Sequence, residues 1–187
     1  MPDAYILGID PGNENTAWAL IDAETCKPVG CQKALNPFAY IGMVEAIDKV
    51  LTESNEKAQI YVAIEMIASY GMPVGAEVFD TCVWIGKLIE RFEKWGGAWD
   101  IRRIYRQEEK LTLCHSPRAN DATIKQALVD RFAKGEPNYG KGNKAAPGWF
   151  YGFKADIWAA YAVAVTYKEL HIIEGECDAD GFEQFTD

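Results

Sequence analysis

Apolar and polar positions alternate along this chain in two rhythms. Short apolar runs at Tyr5 to Ile9, Thr16 to Ile21, Val29 to Leu35 and Ile60 to Ile64 read as strands, and Ile101 to Tyr105 as a fifth. Helical spacing appears in Tyr40 to Leu51, through Ile41, Val44, Ile47 and Leu51. Ala76 to Trp95, Asn120 to Phe132 and Ala155 to Leu170 are three further helices, with Asn120 or Asp121 as the cap of the second. Asp10-Pro11-Gly12, Asn36-Pro37 and the Gly71, Pro73, Gly75 segment punctuate these elements. Residues 134 to 153, rich in Gly, Pro, Lys and aromatics, read as a loop. The order predicts one α/β domain whose first three strands form an antiparallel meander.

The helix from Ala76 to Trp95 carries more apolar surface than one buried face needs. Val78, Cys82, Ile85, Ile89 and Phe92 form a stripe, and Trp84, Leu88 and Trp95 lie on its flank. Either the helix packs deeply on a sheet, or it also supplies a subunit interface.

Charge changes the picture next. The 187 residues carry a formal charge of −9, which disfavours a polyanionic partner. That total is unevenly spread. Residues 102 to 154 hold eleven basic and five acidic side chains, a local +6, and six carboxylates fill the last fourteen residues without a Lys or Arg. The basic stretch is either a solvated surface or a polyanion-binding face on an acidic body. Residues 1–173 are read as the domain and 174–187 as an acidic, disordered tail. No apolar run approaches the roughly 18 residues of a membrane span. The opening MPDAYILGID lacks the basic region and cleavage site of a secretory signal. Five cysteines without paired spacing, and two histidines, argue for reduced thiols and against structural zinc. A cytoplasmic location and no membrane partner are expected.

Three acids stand out by context. Two apolar strands end in one, at Ile9-Asp10 and Ile64-Glu65, and neighbouring strands would bring both to one rim. Asp156 opens an otherwise apolar, small-residue helix, DIWAAYAVAV. Acids in such settings are costly unless paired or metal-bound. Converging carboxylates gain stability from a hard cation such as Mg²⁺, and two such ions can stabilise both oxygens of a phosphodiester displacement. Each acid also has an ordinary reading: a turn residue at Asp10, a solvated strand end at Glu65, a first-turn helix acid at Asp156.

With these residues in view, the chain resembles the RuvC-type Holliday junction resolvases of the RNase H-like nuclease superfamily. YILGIDPGNENTAWALID resembles their first strand, catalytic aspartate and second strand; VAIEMIASYG resembles their glutamate strand. NDATIKQALVDRF and FKADIWAAYAVAVTY resemble their last two helices, so the likeness runs from about residue 4 to 170. It implies a central five-stranded mixed sheet flanked by helices. It also implies a homodimer, paired through helix 76–95, that nicks two strands of a four-way DNA junction and leaves 5′-phosphates. Asp10, Glu65 and Asp156 match the catalytic, metal-binding positions for Mg²⁺, with Mn²⁺ substituting. The family's usual fourth carboxylate is missing, because Ala159 stands at that position; Asp121 is the compensating candidate.

On this reading a cation near the scissile phosphate is expected, with Arg118, Lys125 and Lys154 as candidates. Arg118, Lys125, Lys141, Lys144 and Lys154 are the candidate DNA-binding residues. Tyr139, Trp149, Phe150, Tyr151 and Phe153 either stack on unpaired bases or fold onto the core. Two alternatives stay open: a junction- or branch-binding protein with weak or lost catalysis, and another RNase H-like nuclease acting on flaps, forks or hybrids.

Overall fold

The computed structural model describes residues 3–54, 57–69, 71 and 73–172; the acidic segment 174–187 lies outside them. The first three strands form the expected meander: β1 (Ala4–Pro11), β2 (Asn15–Asp22) and β3 (Pro28–Leu35). Then follow α1 (Asn36–Glu53), β4 (Gln59–Met66), α2 (Ala76–Trp95) and β5 (Ala98–Tyr105). The chain continues through α3 (Arg106–Cys114), α4 (Asp121–Phe132) and α5 (Ile157–His171). The five strands form one mixed sheet in the order β3-β2-β1-β4-β5, antiparallel across the meander and parallel from β1 to β5.

Alternation along the strands builds two cores. Leu7, Ile9, Trp18, Leu20, Ile60, Val62 and Ile64 face α1 and α2. Ile6, Ala17, Ala19, Tyr61, Ala63 and Ile104 face the other way, toward α4 and α5. Where α5 lies on β1 and β2, the second face carries the small residues Gly8, Ala17 and Ala19. A Cβ at Gly8 would sit 2.7 Å from the Ala164 Cβ and closer still to the Ala160 carbonyl oxygen. Glycine at 8, with alanines at 160 and 164, therefore sets how closely the helix approaches the sheet.

Several sequence expectations shift. Helix α1 begins at Asn36, not Tyr40, because Pro37 suits a first helical turn, where a backbone N–H has no partner. Its buried stripe is Ala39, Met43, Ile47 and Val50, leaving Ile41 exposed. On α2 the buried face runs through Thr81, Trp84, Ile85, Leu88 and Phe92, so Trp84 and Leu88 are central, and Val78, Cys82 and Ile89 are half-buried. Helix α3 carried no sequence signal of its own. The 134–153 segment contains a short 3-10 turn, and its aromatics divide: Phe150 and Phe153 are buried against Trp158 and Tyr161, whereas Tyr139 and Tyr151 are exposed. Cys26, Cys31, Cys82 and Cys114 are free thiols. No helix among the described residues is long and apolar enough to cross a membrane.

Candidate active site

Strand register places the site. β1 and β4 run parallel with Ile9 opposite Ile64, so Asp10 and Glu65, one residue further on, lie side by side where the apolar runs end. Glu65 pairs across to Ile104 of β5, and that strand ends at Tyr105, so Arg106 opens α3 at the same rim. On the other side Asp10 pairs with Ala17, and Ala17 with Lys33. One row thus crosses the sheet as Lys33, Ala17, Asp10, Glu65 and Ile104. Residues opposite one another share a face, and Ala17 and Ile104 belong to the α5-side core. Helix α5 starts beside this row, and Asp156 at its N-terminus forms an ion pair with Lys33.

A buried polar network fixes the turn after Asp10. The Thr16 hydroxyl donates to Asn36 Oδ1 at 2.7 Å and accepts from Trp84 Nε1 at 2.8 Å. Asn36 Nδ2 in turn donates to the carbonyls of Gly12 and Asn13 at 3.1 and 3.0 Å. A backbone bond from Gly12 N–H to the Asn15 carbonyl, 2.9 Å, closes the turn. The Asp-Pro-Gly segment is therefore both a strand end and a braced turn.

Glu109, one helical turn into α3, is completely buried. Its Oε2 accepts from Arg106 Nη1 at 2.6 Å, while its Oε1 has no hydrogen-bond partner. Arg106 also pairs with the exposed Asp121 at the start of α4. Burial pushes the Asp10 carboxyl up to about 8, helped by the charge of Glu65, by a hydrogen bond that Asp10 donates to it, and by Asp156. Glu65 rises to about 7 through burial and the nearby Glu109 charge, against the pull of Arg106. Glu109 rises to about 7 through burial, with Arg106 opposing and Asp10 adding to the shift. Burial works against the Arg106 charge, but Glu109, Glu65 and Asp121 outweigh it and hold the guanidinium protonated. Asp10, Glu65, Glu109, Asp121, Asp156 and Arg106 thus form one coupled electrostatic cluster.

Carboxylate oxygens are the donors that Mg²⁺ and Mn²⁺ take, and a buried carboxylate oxygen without a partner is a charge that a cation would offset. The donor chemistry fits. Among the described residues, however, no three such side chains are yet gathered as a finished ligand set. Lys33 holds Asp156, and Arg106 holds Glu109 and Asp121.

No family model matches the chain, and no curated protein matches it in sequence. Solved structures do match. T. thermophilus RuvC in complex with Holliday junction substrate aligns with a TM-score of 0.57 at 14% identity, covering 87% of this chain and 92% of that one. Another Thermus thermophilus RuvC structure aligns at 0.53 and 16% identity over the same shares. The large terminase nuclease from thermophilic phage G20c aligns at 0.36 and 11%, over 88% and 82%. The fold is RNase H-like.

On this RNase H-like scaffold the expected acids divide. Asp10 and Glu65 adjoin, and Asp156 lies within electrostatic reach of Asp10 while bound to Lys33. Asp121 reaches the cluster through Arg106. Lys33, Arg106 and Glu109 were not anticipated. Lys33 could have been found by extending the meander register two strands beyond Asp10, through Ala17; Glu109 had no such signal, being an acid in a charged stretch, RQEEKLTLC. Of the basic candidates, Arg118, Lys144 and Lys154 are exposed and Lys141 is half-buried. Lys125 lies with its ammonium 3.6 Å from the Tyr139 ring centre and 5.1 Å from that of Trp158, a cation–π arrangement beside the start of α5.

Proposed function

We propose that this chain is a divalent-cation-dependent nuclease that cuts branched DNA, with the four-way junction as its substrate and a homodimer as its working form. The observation that carries this reading is the pairing of Asp10 with Glu65 on a rim to which α5 brings Asp156. The likeness to a RuvC solved with a Holliday junction substrate supports the choice of substrate.

Asp10, Glu65 and Asp156 would hold Mg²⁺ or Mn²⁺. When bound, the cation supplies an activated water and offsets charge at the scissile phosphate. The chain's own residues do the rest. β1 and β4 hold two oxygen donors in fixed register, and the Thr16–Asn36–Trp84 network keeps the turn after Asp10 in place. Lys33 and Arg106 put fixed positive charge beside the acids, where a phosphate's developing negative charge would meet it. Arg118, Lys125, Lys141, Lys144 and Lys154 are assigned to the phosphates of the flanking duplexes.

Helix α2 supplies the subunit contact in this reading. Phe79 and Val83 are 61% and 58% exposed at i, i+4 spacing, and Gly86 follows one turn later. A Cβ at Gly86 would meet nothing within 4 Å. Packing within the chain therefore does not require glycine there, which suits the close approach of a second surface.

A labelled synthetic four-way junction tests the assignment. With Mg²⁺ the protein is expected to nick two strands and leave 5′-phosphates, and Asp10→Asn to bind without cutting. No cleavage with Mg²⁺ or Mn²⁺ would overturn the resolvase reading. Binding without cleavage by the wild type would favour a junction-binding protein, a reading supported by Ala159 and by the cations already paired with Asp156 and Glu109. Faster cleavage of flaps, forks or RNA–DNA hybrids would reassign the substrate.

A further inference from the structure

We propose that Glu109 is an additional cation-holding carboxylate of this site, supplied by α3 and kept in check by Arg106. The inference rests on the nuclease reading above and extends it to a residue and a helix outside the Asp10, Glu65 and Asp156 set.

Three observations carry it. Glu109 is completely buried, and its Oε1 has no hydrogen-bond partner. A buried carboxylate oxygen left bare is costly, and a proton or a bound cation on that oxygen relieves the cost. The side chain is also tied to the rim itself: Ile104 of β5 lies opposite Glu65, Arg106 opens α3 directly after that strand, and Arg106 binds Glu109. Finally, α3 leaves β5 at the rim and packs on α5, so Glu109 approaches the cluster from the side opposite Lys33.

Arg106 explains why the carboxylate is tolerated. Its guanidinium takes one oxygen of Glu109 and reaches Asp121 with its other arm. This leaves the second Glu109 oxygen as the available donor. In this arrangement Arg106 competes with the cation for Glu109, and the two residues should act on metal affinity with opposite signs. A purely structural ion pair would behave differently. Breaking it from either end would disturb α3 alike, and both variants would bind metal equally badly.

The experiment is calorimetric titration of Mn²⁺ into the DNA-free protein. Wild type, Glu109→Gln, Arg106→Gln and Asp10→Asn are compared, with thermal melts to confirm folding. Glu109→Gln is expected to weaken Mn²⁺ binding by about tenfold or more, the scale on which supporting groups tune metal sites. Arg106→Gln is expected to bind at least as tightly as wild type. If Arg106→Gln does not fold, Arg106→Lys carries the same expectation, because an ammonium lacks the fork that serves two carboxylates at once. Unchanged affinity in Glu109→Gln, or equal losses in both variants, overturns the proposal and leaves the nuclease reading intact. No Mn²⁺ binding by the wild type overturns that reading and the proposal together.

Discussion

Asp10, Glu65 and Glu109 crowd three negative charges into a site that burial makes poor at solvating them. Their carboxyls sit at about 8, 7 and 7, all above the ordinary carboxylate range. The unfolded chain therefore releases these protons first, and between about pH 4 and 8 the folded state binds more of them. Stability from this cluster is present below about pH 4 and is lost as pH rises through the folded values. The cation-free protein should melt at a lower temperature at about pH 9 than at about pH 5, and millimolar Mg²⁺ should restore most of the difference at the higher pH. A Mg²⁺ shift of equal size at both pH values would show that the cation acts elsewhere. Much of this cluster is legible in the chain, because Asp10 and Glu65 close apolar strands and Asp156 stands at the start of an apolar helix. Lys33 and Glu109 are not, since one depends on the register of a third strand and the other on a helix without apolar periodicity.

At the level of elements, the decisive contact is α5 against β1 and β2. Gly8 allows it, and that glycine is not chosen for an unusual backbone angle but for space. Gly8→Ala would drive a methyl group into the Ala160 carbonyl and the Ala164 side chain, which are backbone and short side chain and cannot swing away. The expected cost is about 1–3 kcal/mol in urea unfolding, with a loss of cleavage larger than stability alone explains, because α5 carries Asp156. Full activity in a stable Gly8→Ala protein would mean that α5 does not set the position of that acid. Strands were readable at this scale because their apolar runs are short and end at turn residues. The faces of α1 and α2 were less so: Ile41 and Val83 are apolar yet exposed, and Thr81 is polar yet buried, its hydroxyl donating to the Glu77 carbonyl at 2.8 Å. Helix α3 was invisible because charged and polar residues fill it, leaving only Leu111 and Leu113 as large apolar side chains, of which Leu111 is exposed.

For the whole molecule, the net charge of −9 conceals an uneven distribution, and α2 exposes Phe79 and Val83, the surface proposed above for a second copy. Replacing Phe79 and Val83 together with Glu should convert a dimer into a monomer in sedimentation, with little change in melting temperature, because both side chains are exposed. A dimer that survives this change would place the contact elsewhere. The Lys33–Asp156 pair also joins two regions of very different burial. Asp156 is anchored to α5, whose residues from Ala160 to Tyr167 are all buried. Lys33 belongs to β3, an edge strand that among the described residues pairs only with β2 and is buried at none of its positions. Backbone amides of α5 should consequently exchange with solvent deuterium most slowly, and those of β3 among the fastest. Brief peeling of that edge would uncouple the lysine from the aspartate while the sheet centre stays closed. The acid is thus expected to sit on one of the slowest-opening parts of the molecule, and its counter-ion on one of the quickest.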